Sequence, residues 1–179
     1  CEAIEAEGIV LLKNEDNALP LGESEKNLAL LGQNSVDFVY GGGGSGSVDT
    51  SLAPDLREAL ESSGFTVNET LWNFYETGAG KDYRKSFPNA AGDGEFAVNE
   101  VPRSAYTDAA LSSMSDSDVA VVSIGRSGSE SSDLPMQPLP TGYRYLQVDQ
   151  NELDTLALAC EQFDKVILLI NSANPLALG

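Results

Sequence analysis

Short, nearly continuous apolar runs alternate with amphipathic stretches along this chain, and that alternation predicts its elements. Asn27–Leu31 reads as a buried strand ending at Gly32, residues 65–67 as a short strand, residues 119–124 as the clearest strand, and residues 166–170 as the next. Helical spacing places Ile4, Leu11 and Leu12 on a helix over 2–13, which Leu19, Pro20 and Leu21 break. A second helix runs from Pro54 to about Ser62, with Leu56, Ala59 and Leu60 on one face and Gly64 as its stop. Residues 69–77 and about 106–114 are also helical. Asp149 with Glu152 three residues on forms a capping box, opening a helix whose buried stripe is Leu153, Leu156, Ala157, Cys160 and Phe163. Residues 78–103 mix Gly, Asn, Pro, Lys and Asp without a period and read as an irregular excursion from the domain body.

Helices alternating with strands this apolar imply a mostly parallel sheet covered on both faces, a three-layer α/β/α sandwich occupying residues 1–179. In such folds the loops leaving the carboxyl ends of strands carry function. Three loops qualify: the one after Leu31, the glycine-dominated stretch 41–46, and residues 125–133 directly after the most apolar strand.

Composition narrows the chemistry. The 179 residues are 41% hydrophobic, enough for one domain with a real core, and no apolar run approaches a membrane span. Acidic residues number 28 against 10 basic, a formal charge of −18 that disfavours nucleic acid and anionic membrane surfaces and makes a neutral substrate the easier reading. The sequence has no histidine, which removes Ser-His-Asp and Cys-His catalysis and most imidazole metal sites. Carboxylates are left as the main proton-transfer groups. Two cysteines, Cys1 and Cys160, make no disulfide framework, and Cys160 reads as a buried structural thiol. No basic segment followed by an apolar stretch marks a leader, which favours a cytoplasmic setting, while a start at Cys1 rather than Met suits a piece of a longer chain.

Residues 41–46 formally contain Gly-x-Gly-x-x-Gly through Gly41, Gly43 and Gly46. No helix opens directly on it and no Lys follows it, so a dinucleotide or P-loop reading is weak. A turn needing positive φ, or a loop bringing backbone N–H groups and the Ser45 hydroxyl against a sugar-like polyol, are the alternatives. In residues 125–133, Glu130 stands among serines at a strand end. A carboxyl there works as a general acid if partial burial or a nearby anion raises its pKa; otherwise the loop is an exposed surface turn. Arg126 can hold a carboxylate or position the loop.

Four stretches then fall in a familiar order. They are residues 6–14 followed by Leu19, Pro20 and Leu21; residues 41–48, of Gly-Gly-x-Gly-Ser-Gly type; residues 121–133, of Gly-Arg-x-x-Gly-Glu-x-x-Asp type; and residues 166–175, a strand with an Asn-x-x-Asn-Pro turn. Together they resemble the α/β-sandwich domain of family 3 glycoside hydrolases, the β-glucosidase and β-xylosidase group. Two positions depart from the pattern: Ser129 stands where the family has glycine before its Glu, and Leu134 where an Arg often follows the motif Asp.

The resemblance implies retaining hydrolysis of terminal β-linked sugars by two carboxyl groups about 5–5.5 Å apart. It gives Glu130 the acid/base role and Ser45 a contact to the sugar, with Gly44, Gly46, Arg126 and Asp133 ordering the loops. The nucleophilic Asp would come from a (β/α)8-type barrel of the same parent chain, which nothing here resembles. A β-linked oligosaccharide or glycoside is the expected substrate, with no cofactor and no metal. The domain is expected to be incomplete at its C-terminus, and the early lead-in also fits a subgroup in which the sandwich precedes the barrel. The isolated chain is expected to be nearly inactive.

Overall fold

The computed structural model describes residues 2–89 and 91–178; Cys1 lies outside them. In chain order the elements are α1 (Glu2–Gly8), β1 (Asn27–Leu31), α2 (Leu56–Ser62), β2 (Thr66–Val67), α3 (Glu69–Glu76), α4 (Asp108–Ser113), β3 (Val119–Arg126), α5 (Gln150–Gln162) and β4 (Val166–Ser172). The four strands form one sheet in the order β2-β1-β3-β4, every pairing parallel. All eight residues of β3 are buried, as a central strand covered on both faces requires.

Strand periodicity sorts the core into two layers. Ala29, Leu31, Ala120 and Val122 face Leu71, Tyr75, Ala110 and Leu158 of α3, α4 and α5. Leu28, Leu30, Val119 and Val121 point the other way, against Leu56 and Leu60 of α2. The α/β/α sandwich with a parallel sheet is therefore the observed architecture.

Three expectations need correction. The first helix stops at Gly8 instead of reaching residue 13; Ile9, Val10, Leu11 and Leu12 follow as exposed chain outside any helix or strand. β3 runs two residues further than its apolar pattern, so Gly125 and Arg126 belong to the strand. Helix α5 has the expected capping box, with Glu152 N donating to Asp149 Oδ1 at 3.0 Å and Asp149 N to Glu152 Oε2 at 2.9 Å. Its buried face, however, is Glu152, Thr155, Leu158 and Ala159, while Leu153 and Cys160 are exposed. The helix is turned because Glu152 pairs with a buried arginine of β3, and that contact outweighs burial of Leu153.

The irregular residues 78–103 are folded onto the body. Val98 and Val101 are buried in it, and Ser86 pairs with Ala97 in a single antiparallel bridge. Among them Glu100 is buried, accepting from Gln33 N (2.9 Å) and Val101 N (2.9 Å). Burial, against the pull of those N–H groups, pushes its pKa up to about 8. A folded-state pKa above the unfolded one favours the neutral carboxyl in the fold. The contribution of Glu100 to stability should therefore be fullest below about pH 4.5, fall as pH rises toward about 8 by up to about 1.4 kcal/mol per unit, and level off above it. Urea titrations at pH 5 and pH 8 check this: Glu100→Gln should flatten the difference, and an unchanged pH dependence would show that Glu100 is not its source.

Candidate active site

The carboxyl end of β3 and the glycine loop are stitched together over successive residues. Ser127 Oγ donates to Gly41 O (3.0 Å), Gly43 N to Gly128 O (3.0 Å), and Glu130 N to Gly43 O (3.2 Å). Gly43 and Ser129 thus form a short parallel bridge. This ladder brings Ser45 to Glu130: Ser45 N donates to Glu130 Oε2 at 2.7 Å. The carboxyl is otherwise exposed. Hydrogen bonding from Ser45, its hydroxyl first and its backbone N–H second, holds the Glu130 pKa below the ordinary glutamate value. Within this chain, then, the shift is opposite to the one a general acid needs. Ser131, next to Glu130, sits at φ +63°, a left-handed conformation that costs a non-glycine residue about 1–2 kcal/mol.

Gly44 is required by geometry. Its φ is +76°, and a Cβ there would stand 2.5 Å from Glu130 Cβ and 2.8 Å from Oε2. Gly46 carries no such demand, since a Cβ would meet nothing within 4 Å. Gly44→Ala should therefore lower stability by about 1–2 kcal/mol and, by breaking the Ser45 contact, return Glu130 toward its ordinary pKa. Gly46→Ala should do neither. Thermal melts with a carbon-detected titration of Glu130 separate the two, and equal behaviour would refute the steric argument.

Arg126 lies beneath the loop, fully buried. All five of its N–H donors are used: Nε to Tyr145 O (2.6 Å), Nη1 to Gly125 O (2.9 Å) and Glu152 Oε1 (2.6 Å), and Nη2 to Gln147 O (2.8 Å) and Glu152 Oε2 (2.7 Å). Tyr145 then braces the loop, its hydroxyl donating to Ser127 O (2.8 Å) and accepting from Ser127 N (3.1 Å). Asn171 at the end of β4 grips the approach to the glycine loop, with Val39 N donating to Oδ1 (2.8 Å) and Nδ2 donating to Val39 O (3.1 Å). Gly125 leaves room for the Asn34 amide, which donates to Ser123 Oγ (2.8 Å). Asp133 is exposed and stands outside this network.

Sequence reasoning missed Tyr145, Asn171 and the second role of Glu152. Glu152 was legible only as a cap partner, Asn171 lay in a recognised turn without a role, and Tyr145 carried no signal. Among the described residues no cluster of three or more His, Cys, Asp or Glu side chains is arranged to hold a metal, and no helix is long and apolar enough to cross a membrane.

A parallel α/β sandwich that offers a carboxylate and a glycine loop together at the strand ends is the framework of a ligand-binding or catalytic domain. Residues 9–179 match the family model described as the glycosyl hydrolase family 3 C-terminal domain, and the chain belongs to that family. It is 33% identical over 135 residues to β-glucosidase A of Butyrivibrio fibrisolvens, covering 74% of this chain and 15% of that protein. It is 57% identical over 61 residues to probable β-glucosidase I of Emericella nidulans, covering 33% of this chain and 7% of that protein. Among solved structures, a β-glucosidase from Paenibacillus barengoltzii superposes with a TM-score of 0.74 at 28% identity, over 97% of this chain and 18% of that one. β-Glucosidase 3B from Thermotoga neapolitana in complex with glucose superposes with a TM-score of 0.73 at 27% identity, over 97% of this chain and 24% of that one. The matched residues thus span 15% or less of the length of these two curated relatives.

Proposed function

We propose that this chain is the acid/base-bearing domain of a retaining β-glucosidase, acting on terminal β-linked sugars together with a barrel domain of the same parent protein. The observation that carries the reading is the exposed Glu130 carboxyl at the end of β3, held by the glycine loop through Ser45. In this role Glu130 protonates the leaving glycosidic oxygen while a carboxylate of the barrel attacks the anomeric carbon. Glu130 then takes a proton from the water that releases the glycosyl-enzyme. Ser45 contacts the sugar, and Gly44, Arg126 and the loops around them set the carboxyl in place. The opposing carboxylate, about 5–5.5 Å away in a retaining site, supplies the upward pKa shift that this chain does not.

A nucleotide-binding role for the glycine loop is the poorer fit. The Gly43 and Ser45 N–H groups are turned onto Gly128 O and Glu130, and a carboxylate stands in the loop where a phosphate would need to sit.

The deciding experiment is Glu130→Ala in the longer protein, assayed with an activated aryl β-glucoside and sodium azide. Recovery of turnover with formation of a β-glucosyl azide supports the role. Turnover equal to wild type without azide removes Glu130 from the mechanism.

A further inference from the structure

Between the two legs of the glycine loop and the irregular segment 78–103 lies a cleft of about 210 Å³, separate from the Ser45–Glu130 contact at the loop tip. Its lining includes Asp37, Phe38, Tyr40, Thr50, Lys85 and Phe87. Lys85 is unusual here. Its side chain is only 4% exposed, and Nζ stands 3.1 Å from Asp37 Oδ2. Beyond Asp37, no acceptor meets that ammonium. Burial pushes its pKa down, against the pull of Asp37. An ammonium kept this dry, with N–H donors left over beyond its contact with Asp37, is costly unless something else accepts them. The segment carrying it is fixed, because Lys85 N donates to Gln33 Oε1 (3.4 Å) and Asn99 Nδ2 to Arg84 O (3.1 Å).

The surroundings say what kind of acceptor fits. Asp37 already balances the lysine charge, and the chain carries −18 overall, so an anion gains little. Phe38, Tyr40 and Phe87 add apolar ring faces, with Phe38 and Tyr40 packed edge-on at 5.5 Å and the Tyr40 hydroxyl tied back to Pro54 O at 2.9 Å. Aromatic faces beside a donor–acceptor pair suit a pyranose, whose C–H face stacks while its hydroxyls accept from Nζ and donate to a carboxylate. The volume is below the ~300–1,000 Å³ of pockets for drug-sized ligands, enough for one ring and no more.

We propose that this cleft is a second carbohydrate subsite, taking one neutral sugar unit of a longer substrate through Lys85, Asp37 and the Phe38–Tyr40 pair. The inference rests on the reading of the chain as a β-glucosidase domain and extends it to the substrate: a glycan longer than one residue, engaged on this domain as well as at Glu130.

The test is a titration of the ¹⁵N-labelled 179-residue chain with methyl β-D-glucopyranoside, followed by amide shifts. The expected result is saturable, millimolar binding that shifts residues 38–41 and 85–87. Lys85→Met should weaken it about tenfold or more. Tyr40→Ala, at a half-exposed position that leaves the core intact, should also weaken it. Shifts confined to residues 43–45 and 129–131 would overturn the second subsite while leaving the Glu130 reading standing. No binding, or undiminished binding by a folded Lys85→Met chain, would overturn it too. Failure of the Glu130 reading shows separately, as unaltered turnover of Glu130→Ala in the longer protein.

Discussion

Replacing Glu152 by alanine should destabilise the chain by about 3–5 kcal/mol, the usual cost of leaving one member of a buried ion pair without its partner. Glu152 accepts two of the five N–H bonds of Arg126, a side chain with no solvent exposure. Its loss leaves a guanidinium in a dry site with no carboxylate. The Asp149 N–H at the start of α5 loses its acceptor as well. A surface pair supplies the control: Arg57–Glu61 on α2 is partly exposed, so Glu61→Ala should cost under about 1 kcal/mol. The double substitution Arg126→Met, Glu152→Leu should recover part of the loss, because both charges are then gone. Urea unfolding monitored by far-UV circular dichroism reads all three. A Glu152 variant no less stable than the Glu61 control would show that the buried pair does not hold the loop.

The second large effect concerns rate. If Glu130 is the acid/base, Glu130→Ala in the longer protein should lower kcat/KM by about 10²–10⁴-fold for substrates with poor leaving groups. The loss should shrink for a 2,4-dinitrophenyl glucoside, whose leaving oxygen needs no proton. The pH profile carries a further sign. A general acid must be protonated, so wild-type kcat/KM falls as pH rises through its pKa, and the variant should lack that alkaline limb. In the isolated chain, by contrast, the Ser45 hydrogen bonds hold Glu130 below its ordinary value. Titrating Glu130 in the 179-residue chain and locating the alkaline limb of the longer enzyme should give two different pKa values, the second higher. Coincident values would mean that the second domain does not tune this carboxyl. A variant that kept the alkaline limb would separate Glu130 from acid catalysis.

The buried arginine shows where reading the sequence stops. A capping box is local, spanning Asp149 to Glu152, and both of its hydrogen bonds form as the spacing predicts. The partner of Glu152 is 26 residues earlier in a strand whose apolar pattern had already ended. Nothing in one-dimensional periodicity distinguishes a charged residue that leaves a strand from one that is buried at its end. Once Arg126 is inside, it selects the face that α5 buries, and the stripe through Leu153 and Cys160 turns outward. The first helix failed differently. Ile4, Leu11 and Leu12 fit helical spacing, yet all three are exposed, so no buried face holds the segment beyond Gly8 as a helix.

Apolar runs, caps and glycines act over a few residues, so the strands, the parallel α/β sandwich and the loops to watch were legible in one dimension. The motif order also pointed to the family. That the glycine loop and the β3 loop form one ladder, that Ser45 reaches Glu130 across 85 positions, and that this contact lowers the carboxyl's pKa emerge only in three dimensions. Tyr145, Glu152 and Asn171 likewise join Arg126 in holding the two loops only once the chain has folded. These are long-range hydrogen bonds and charge pairs, and their energies depend on burial and alignment that exist only once the sheet has closed.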